Sequence, residues 1–244
     1  TTDIFVELYD YQGYKKYLAD RFNLEESKER EYFEQNVIKS IISNLDYYLE
    51  SRDLRKLSGQ KRKRYMSYML LRLFIKLTII APAKRAVICR IKKNDFSADF
   101  RTVCINNVKI NIPSGLRQEI LSGVRTAEEL NGIKMAEGAH LFAFLDVSTF
   151  RPEYLNTWFC NLLKEFSIIN IPDKKTTYSV ETIRNSVIVE LIKNGFNLAL
   201  ISKISGVSLS TLEHRYYKVK SYQEEEINKL INEGIAGIPY YSYI

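Results

Sequence analysis

TIRNSVIVELIKNGFNLALISKISGVSLSTLEHRYY, residues 182–217, decides how the chain is read. It divides into helical segments predicted over 180–193, 198–205 and 210–217, with Gly195 and Gly206 at the two breaks. Both glycines suit the position just past a helix end, where the backbone turns left-handed and a side chain is penalised. The result is three helices in quick succession with Arg184 near the start and the tyrosines Tyr216 and Tyr217 at the end.

Working outward, the segment 32–49 carries Phe33, Val37, Ile38, Ile41, Ile42, Leu45 and Leu49 at helical spacing, the signature of an amphipathic helix. A second helix is predicted over 60–80, with Tyr65, Met69, Leu73 and Leu77 along one stripe and Pro82 ending it. From Phe96 to Pro113 the period shifts towards two. Phe100, Thr102, Cys104, Val108, Ile110 and Ile112 alternate with polar residues around Asn106-Asn107, which predicts a hairpin or small sheet turning at the asparagines. Helices follow over 116–122, again from Arg125, and over 154–166, with a last one over 223–232 capped by Gly234. The layout is α+β and mostly helical, with a small antiparallel sheet on one edge.

A chain of 244 residues, 45% hydrophobic and 27% charged, has an ordinary globular composition. The apolar stretch 69–82 is broken by Arg72 and Lys76, too short a run to span a bilayer, and no signal peptide is visible. The 3 cysteines, Cys89, Cys104 and Cys160, are far apart, without CxxC spacing, and His140 and His214 are the only further soft ligands. That argues against a disulfide framework or zinc site and for a reduced, cytoplasmic protein without metal or cofactor. The net charge of +7, with clusters at 61–64 and at Lys92-Lys93, favours a polyanionic partner, since cations that neutralise phosphates release counterions.

In its order of elements, residues 182–217 resemble the second conserved box of the tyrosine recombinases, the phage-integrase family. There an arginine opens a buried helix, an Asn-Gly turn leads into a short helix ending in glycine, and the nucleophilic tyrosine follows on the next helix. Arg184, Asn194-Gly195, Gly206 and Tyr216 fall in that order. Val207, 23 residues after Arg184, takes the family's His/Trp position, and Tyr216 follows it by 9. Upstream, Arg85 after the apolar helix corresponds to the first catalytic arginine, and Lys109, 24 residues on, to the hairpin lysine. Lys84 is the alternative to Arg85, and Tyr217 the alternative to Tyr216, if the register slips by one. The stretch LFAFLDVSTFRPEYLNTWFCNLLKEFSI, residues 141–168, is similar to the family's segment between the boxes.

The resemblance implies a catalytic domain over 31–220, a short N-terminal segment over 1–30 and a helix with an apolar tail over 221–244. Residues 1–30 are too few for the family's separate core-binding domain, which points to a fragment, a minimal recombinase or a relative that depends on a partner. The chemistry it implies is transfer of a DNA phosphodiester to Tyr216. Negative charge then grows on the phosphoryl oxygens, where Arg85 and Arg184 suit it as forked donors. Lys109 serves as general acid for the departing 5′ oxygen, and the phosphotyrosyl link conserves the bond without ATP or metal. The partners implied are double-stranded DNA and, through the tail IPYYSYI, further copies of the chain; the setting implied is a mobile element at the nucleoid.

Two positions depart from the family. Glu181 stands where it usually has histidine, and a carboxylate there disfavours a phosphate unless it acts as the base for Tyr216 or is protonated. Val207 supplies no hydrogen bond, and a missing transition-state donor is worth about 2.7 to 4 kcal/mol. Residues 197–217 also fit a helix-turn-helix, with Leu200-Ile201, the Gly206-Val207-Ser208 turn and Thr211-Leu212. On that reading Ser208, Ser210 and Arg215 lie near bases and the chain is a DNA-binding or accessory protein without catalysis.

Overall fold

The helices are built around one whose second half is buried. In the computed structural model, which describes residues 21, 32–146, 150–169, 178–216 and 232–233, with side-chain detail in the long C-terminal stretch reaching Glu213, that helix is α2, Gly59–Ile80. Two compact units make up the chain, Thr1–Arg30 and Glu31–Ile244, and α2 is the central helix of the second.

Helix α1, Gln35–Glu50, buries Ile41, Leu45, Tyr48 and Leu49, an apolar stripe at helical spacing that packs on α2. Phe33, just before it, donates its backbone N–H to Ser186 Oγ at 2.7 Å and stacks beside Tyr178 at 5.1 Å. The first turn of α2 exposes Lys61, Arg62, Lys63 and Arg64, while its second half buries Leu70, Leu71, Leu73, Phe74, Ile75 and Leu77. Arg72 and Lys76, which interrupt that apolar run, reach across it. They pair with Asp46 of α1 at 3.0 Å each and with Glu119 at 3.3 and 2.6 Å. Ala81 is extended ahead of Pro82, as the residue before a proline must be, so α2 stops there.

Helix α3 is a five-residue turn, Arg85–Cys89. Strands β1, Thr102–Ile105, and β2, Val108–Asn111, pair antiparallel. Their two-residue turn, Asn106 at φ 51° and Asn107 at φ 59°, has the left-handed backbone that asparagine tolerates and a twisted hairpin prefers. The phase of β1 differs from the sequence reading: Val103 and Ile105 are buried and Cys104 is exposed. Alternate spacing from Phe100 points to Thr102 and Cys104, but the more apolar Val103 and Ile105, paired with Ile110 and Val108, turn to the core.

Helix α4 runs unbroken over Ser114–Asn131, where the sequence suggested a break near Ser122. Gly123 does not end the helix. An added Cβ there would sit 3.3 Å from Leu145 Cδ2, so the glycine admits α5, Leu141–Leu145. Gly132, at φ 67°, caps α4. Helices α6, Tyr154–Glu165, and α7, Glu181–Lys193, both pack on α2. Helices α8, Leu198–Ser205, and α9, Leu209–Tyr216, enclose a smaller apolar cluster of Ile188, Val189, Ile192, Ile201, Val207 and Leu212. Gly206 caps α8 with φ 65°. The helix predicted over 223–232 and the tail lie outside the described residues, apart from Asn232 and Glu233. No helix among the described residues is long and apolar enough to cross a membrane.

Candidate functional site

The end of α2 sets the first element. After buried Pro82 and Ala83 the chain is extended at Lys84, which caps α3. Lys84 is exposed, whereas Arg85 is partly covered and its Nη1 is buried. Cys89 lies four residues on, the same face of one helical turn.

The second element is the start of α7, pinned where Val180 donates its backbone N–H to Asn156 Oδ1 at 3.1 Å. Glu181 and Arg184 are one turn apart, with Arg184 Nη1 3.2 Å from Glu181 Oε2 and the arginine side chain only 9% exposed. Among the described residues, two buried side-chain nitrogens lack a hydrogen-bond partner: Arg85 Nη1 and Arg184 Nε. A buried donor without an acceptor costs roughly 1–3 kcal/mol, more when charged.

Cys89 links the two elements. Burial pushes its thiol up to about 12; Arg85 opposes that shift, and the carboxylates of Glu181 and Glu153 add to it. Arg85 and Glu181 therefore act on the same thiol, and Glu181 holds Arg184. Buried guanidinium donors without a partner are groups that an anion could satisfy, and more strongly where the effective dielectric is low.

Lys109 is exposed on β2 opposite Cys104. A hydrogen bond ties its hairpin to α8: Asn106 Nδ2 donates to the Ile204 carbonyl at 2.7 Å. That carbonyl belongs to the last turn of α8, beside Gly206 and Val207. Val207 is 7% exposed and packs into the small apolar cluster, so its side chain completes a core. Tyr216 closes α9; its side chain, His214 and all of Tyr217 lie outside the described detail. Ser208 heads α9, with its Oγ accepting from Thr211 N–H at 3.3 Å, and Ser210 is exposed.

Sequence reasoning named Arg85, Lys109, Glu181, Arg184 and Tyr216. Glu181 and Arg184 meet at the start of α7, the charges of Arg85 and Glu181 both bear on the Cys89 thiol, and the Lys109 hairpin is tied to α8. Cys89 and Asn106 were not singled out for the site. Nothing in a lone cysteine signals it, and Asn106 read only as a turn former.

The fold is that of the tyrosine-recombinase catalytic domain. It is similar to the XerH site-specific recombinase solved bound to difH substrate, with TM-score 0.59 and 14% identity, covering 86% of this chain and 56% of that one. It is similar also to XerA recombinase, with TM-score 0.52, 12% identity and coverage of 86% and 66%. The Tn1549 transposon integrase in complex with a circular intermediate DNA matches with TM-score 0.57, 12% identity and coverage of 86% and 68%. The chain thus spans little more than half the length of the XerH recombinase. No protein-family model and no curated protein sequence matches the chain.

Proposed function

We propose that the chain binds duplex DNA and cleaves and rejoins its strands through a 3′-phosphotyrosyl link at Tyr216. The phenolic oxygen attacks phosphorus, its proton passes to the Glu181 carboxylate, and the bond to the 5′ oxygen breaks. Lys109 protonates that leaving oxygen. Arg85 and Arg184 hold the two non-bridging oxygens, where charge concentrates in the transition state. The observation that carries the reading is the pair of buried, unpartnered nitrogens, Arg85 Nη1 and Arg184 Nε, on two elements that flank Cys89. The recombinases with the same fold were solved on DNA substrates, which fits a DNA partner for this chain too.

The experiment is covalent capture. A pool of nicked duplexes of randomised sequence is incubated with the protein and resolved under denaturing conditions. A labelled adduct that requires Tyr216 is expected, and none from any pool would defeat the catalytic part of the reading.

One observation favours a second reading, a recombinase-fold DNA-binding protein without strand transfer. Val207 is spent on packing, and Glu181 already occupies Arg184 Nη1. On that reading the α8–α9 pair contacts duplex DNA with exposed Ser208 and Ser210, and duplex binding persists with no adduct. Self-association through residues 221–244, and a role in moving a mobile element, belong to the first reading as proposals; deleting the chain from Ser221 would abolish cooperative assembly on paired sites while leaving binding to one.

A further inference from the structure

The cations of this chain are not gathered at the candidate site. Between Ser51 and Arg64 stand Arg52, Arg55, Lys56, Lys61, Arg62, Lys63 and Arg64 against the single acid Asp53, so fourteen residues hold an excess of six positive charges in a chain whose net charge is +7. On this cationic face the Arg52 and Arg64 guanidinium groups both lie over the Tyr48 ring, at 3.8 and 5.7 Å, while Arg55 pairs with Glu129 and Lys56 with Asp53. Lys61, Arg62 and Lys63 are exposed and have no carboxylate partner among the described residues. This face opens α2, and Arg85 follows its other end. At about 1.5 Å per residue the helix separates them by roughly 30 Å, several Debye lengths at physiological salt.

Beside the cations is a cavity of about 450 Å³ lined by Lys63, Arg64, Ser67, Tyr68, Trp158 and Asn161. Trp158 is half-buried, supported by Phe150 at 6.3 Å and by Tyr154 at 6.1 Å. Asn161 is exposed, and its carboxamide offers both donor and acceptor. Glu165 restrains Arg64 by an ion pair and accepts from the Tyr68 hydroxyl at 2.6 Å. An aromatic face, an amide and a row of uncompensated cations are the chemistry of an unpaired base followed by its phosphates. A duplex hides its base faces, an acidic peptide offers no base to stack, and a lipid surface would need a protruding indole, whereas Trp158 is half-buried in the wall of a cavity.

We infer that this face is a second nucleic-acid site, specific for single strands, with one base against Trp158 and Asn161 and successive phosphates on Lys61, Arg62 and Lys63. It is independent of the strand-transfer reading.

Trp158 is the 1 tryptophan of the chain, so emission excited selectively at tryptophan, apart from the 17 tyrosines, reports this cavity. The full chain is titrated with a thymidine oligonucleotide of about twelve nucleotides, within the usual single-strand footprint. Saturable quenching is expected, with a blunt duplex of equal length quenching far less. The variant Lys61→Gln/Arg62→Gln/Lys63→Gln, altered only at exposed positions, should bind more weakly. Its slope of log affinity against log salt should shrink by about 2, from about 0.7 per lost phosphate contact. Asn161→Asp, also exposed, should weaken binding without changing the far-ultraviolet spectrum. Tyr216→Phe should leave quenching unchanged, which separates this site from the other. No quenching, equal quenching by the duplex, an unaltered slope in the triple variant, or quenching only by anionic vesicles or polyglutamate would overturn the inference.

Discussion

Replacing Asn106 tests whether the hairpin is positioned from the far end of the domain. The residue does two things: it adopts φ 51° in the turn, and its Nδ2 holds the Ile204 carbonyl at 2.7 Å. Alanine loses both. The left-handed backbone costs a residue with a Cβ about 1 kcal/mol or more, and the lost bond about 0.5–1.5 kcal/mol, raised by the carbonyl left part-buried. Asn106→Ala should therefore lower unfolding free energy by about 2–3 kcal/mol. Asn106→Gly accepts the backbone and loses only the tether, so about 1 kcal/mol is expected. Urea unfolding of the three proteins, with unchanged slopes, measures both terms. On the strand-transfer reading, both variants also slow adduct formation, because the strand bearing Lys109 is no longer docked, while duplex affinity is retained. An alanine variant within about 0.5 kcal/mol of wild type, the range of inert surface changes, would show that neither the turn strain nor the tether is real.

Tyr216→Phe should abolish the covalent adduct and leave duplex affinity unchanged, since only a hydroxyl is removed; an adduct that instead requires Tyr217 would shift the register by one. Gly206→Ala should cost about 1 kcal/mol from its φ of 65° alone, because the added Cβ meets Asn106 Nδ2 at an ordinary 3.5 Å; chemical denaturation reads it. Cys89, with its thiol pushed up to about 12 from 9.0, should resist thiol reagents at pH 8 while exposed Cys104 reacts, as peptide mass mapping would record. Its raised value also means that the unfolded chain ionises first, so its contribution is complete below about pH 9 and is lost as pH rises towards 12. Affinity for duplex DNA should fall steeply between low and moderate salt as counterion release predicts, and a flat dependence would remove the electrostatic basis for binding.

Much of the fold could be read from periodicity because its helices carry clean stripes: Ile41, Leu45 and Leu49 in α1, and the glycine-bounded α8, appear as expected. The hairpin was legible from Asn106-Asn107, but its phase was not. Spacing by twos from Phe100 pointed to Thr102 and Cys104, whereas the more apolar Val103 and Ile105, opposite Ile110 and Val108, are the buried pair. Gly123 misled for a related reason. A glycine that breaks a helix and one that admits a neighbour read alike until Leu145 is placed against it. At the candidate site, spacing alone selected Arg85, Glu181 and Arg184; the Glu181 to Arg184 contact, one helical turn apart, was legible from it, whereas the bearing of Arg85 and Glu181 on Cys89 was not. The Asn106 to Ile204 bond spans 98 residues, and no local pattern encodes it. The charge cluster over 61–64 was visible at once, yet its distance from Arg85 follows only from the straight course of α2 between them.

The central claim, that Arg85 and Arg184 present their donors to a phosphate attacked by Tyr216, is tested most directly by single-turnover capture on nicked duplex pools with wild type, Arg85→Lys and Tyr216→Phe. The lysine keeps the charge but not the forked donors. The account predicts an adduct with wild type, a rate lower by about a hundred- to a thousandfold with Arg85→Lys, as for removal of one oxyanion donor, and none with Tyr216→Phe. Adduct formation at the wild-type rate in Arg85→Lys, or adduct persisting in Tyr216→Phe with Tyr217 also replaced, would contradict it.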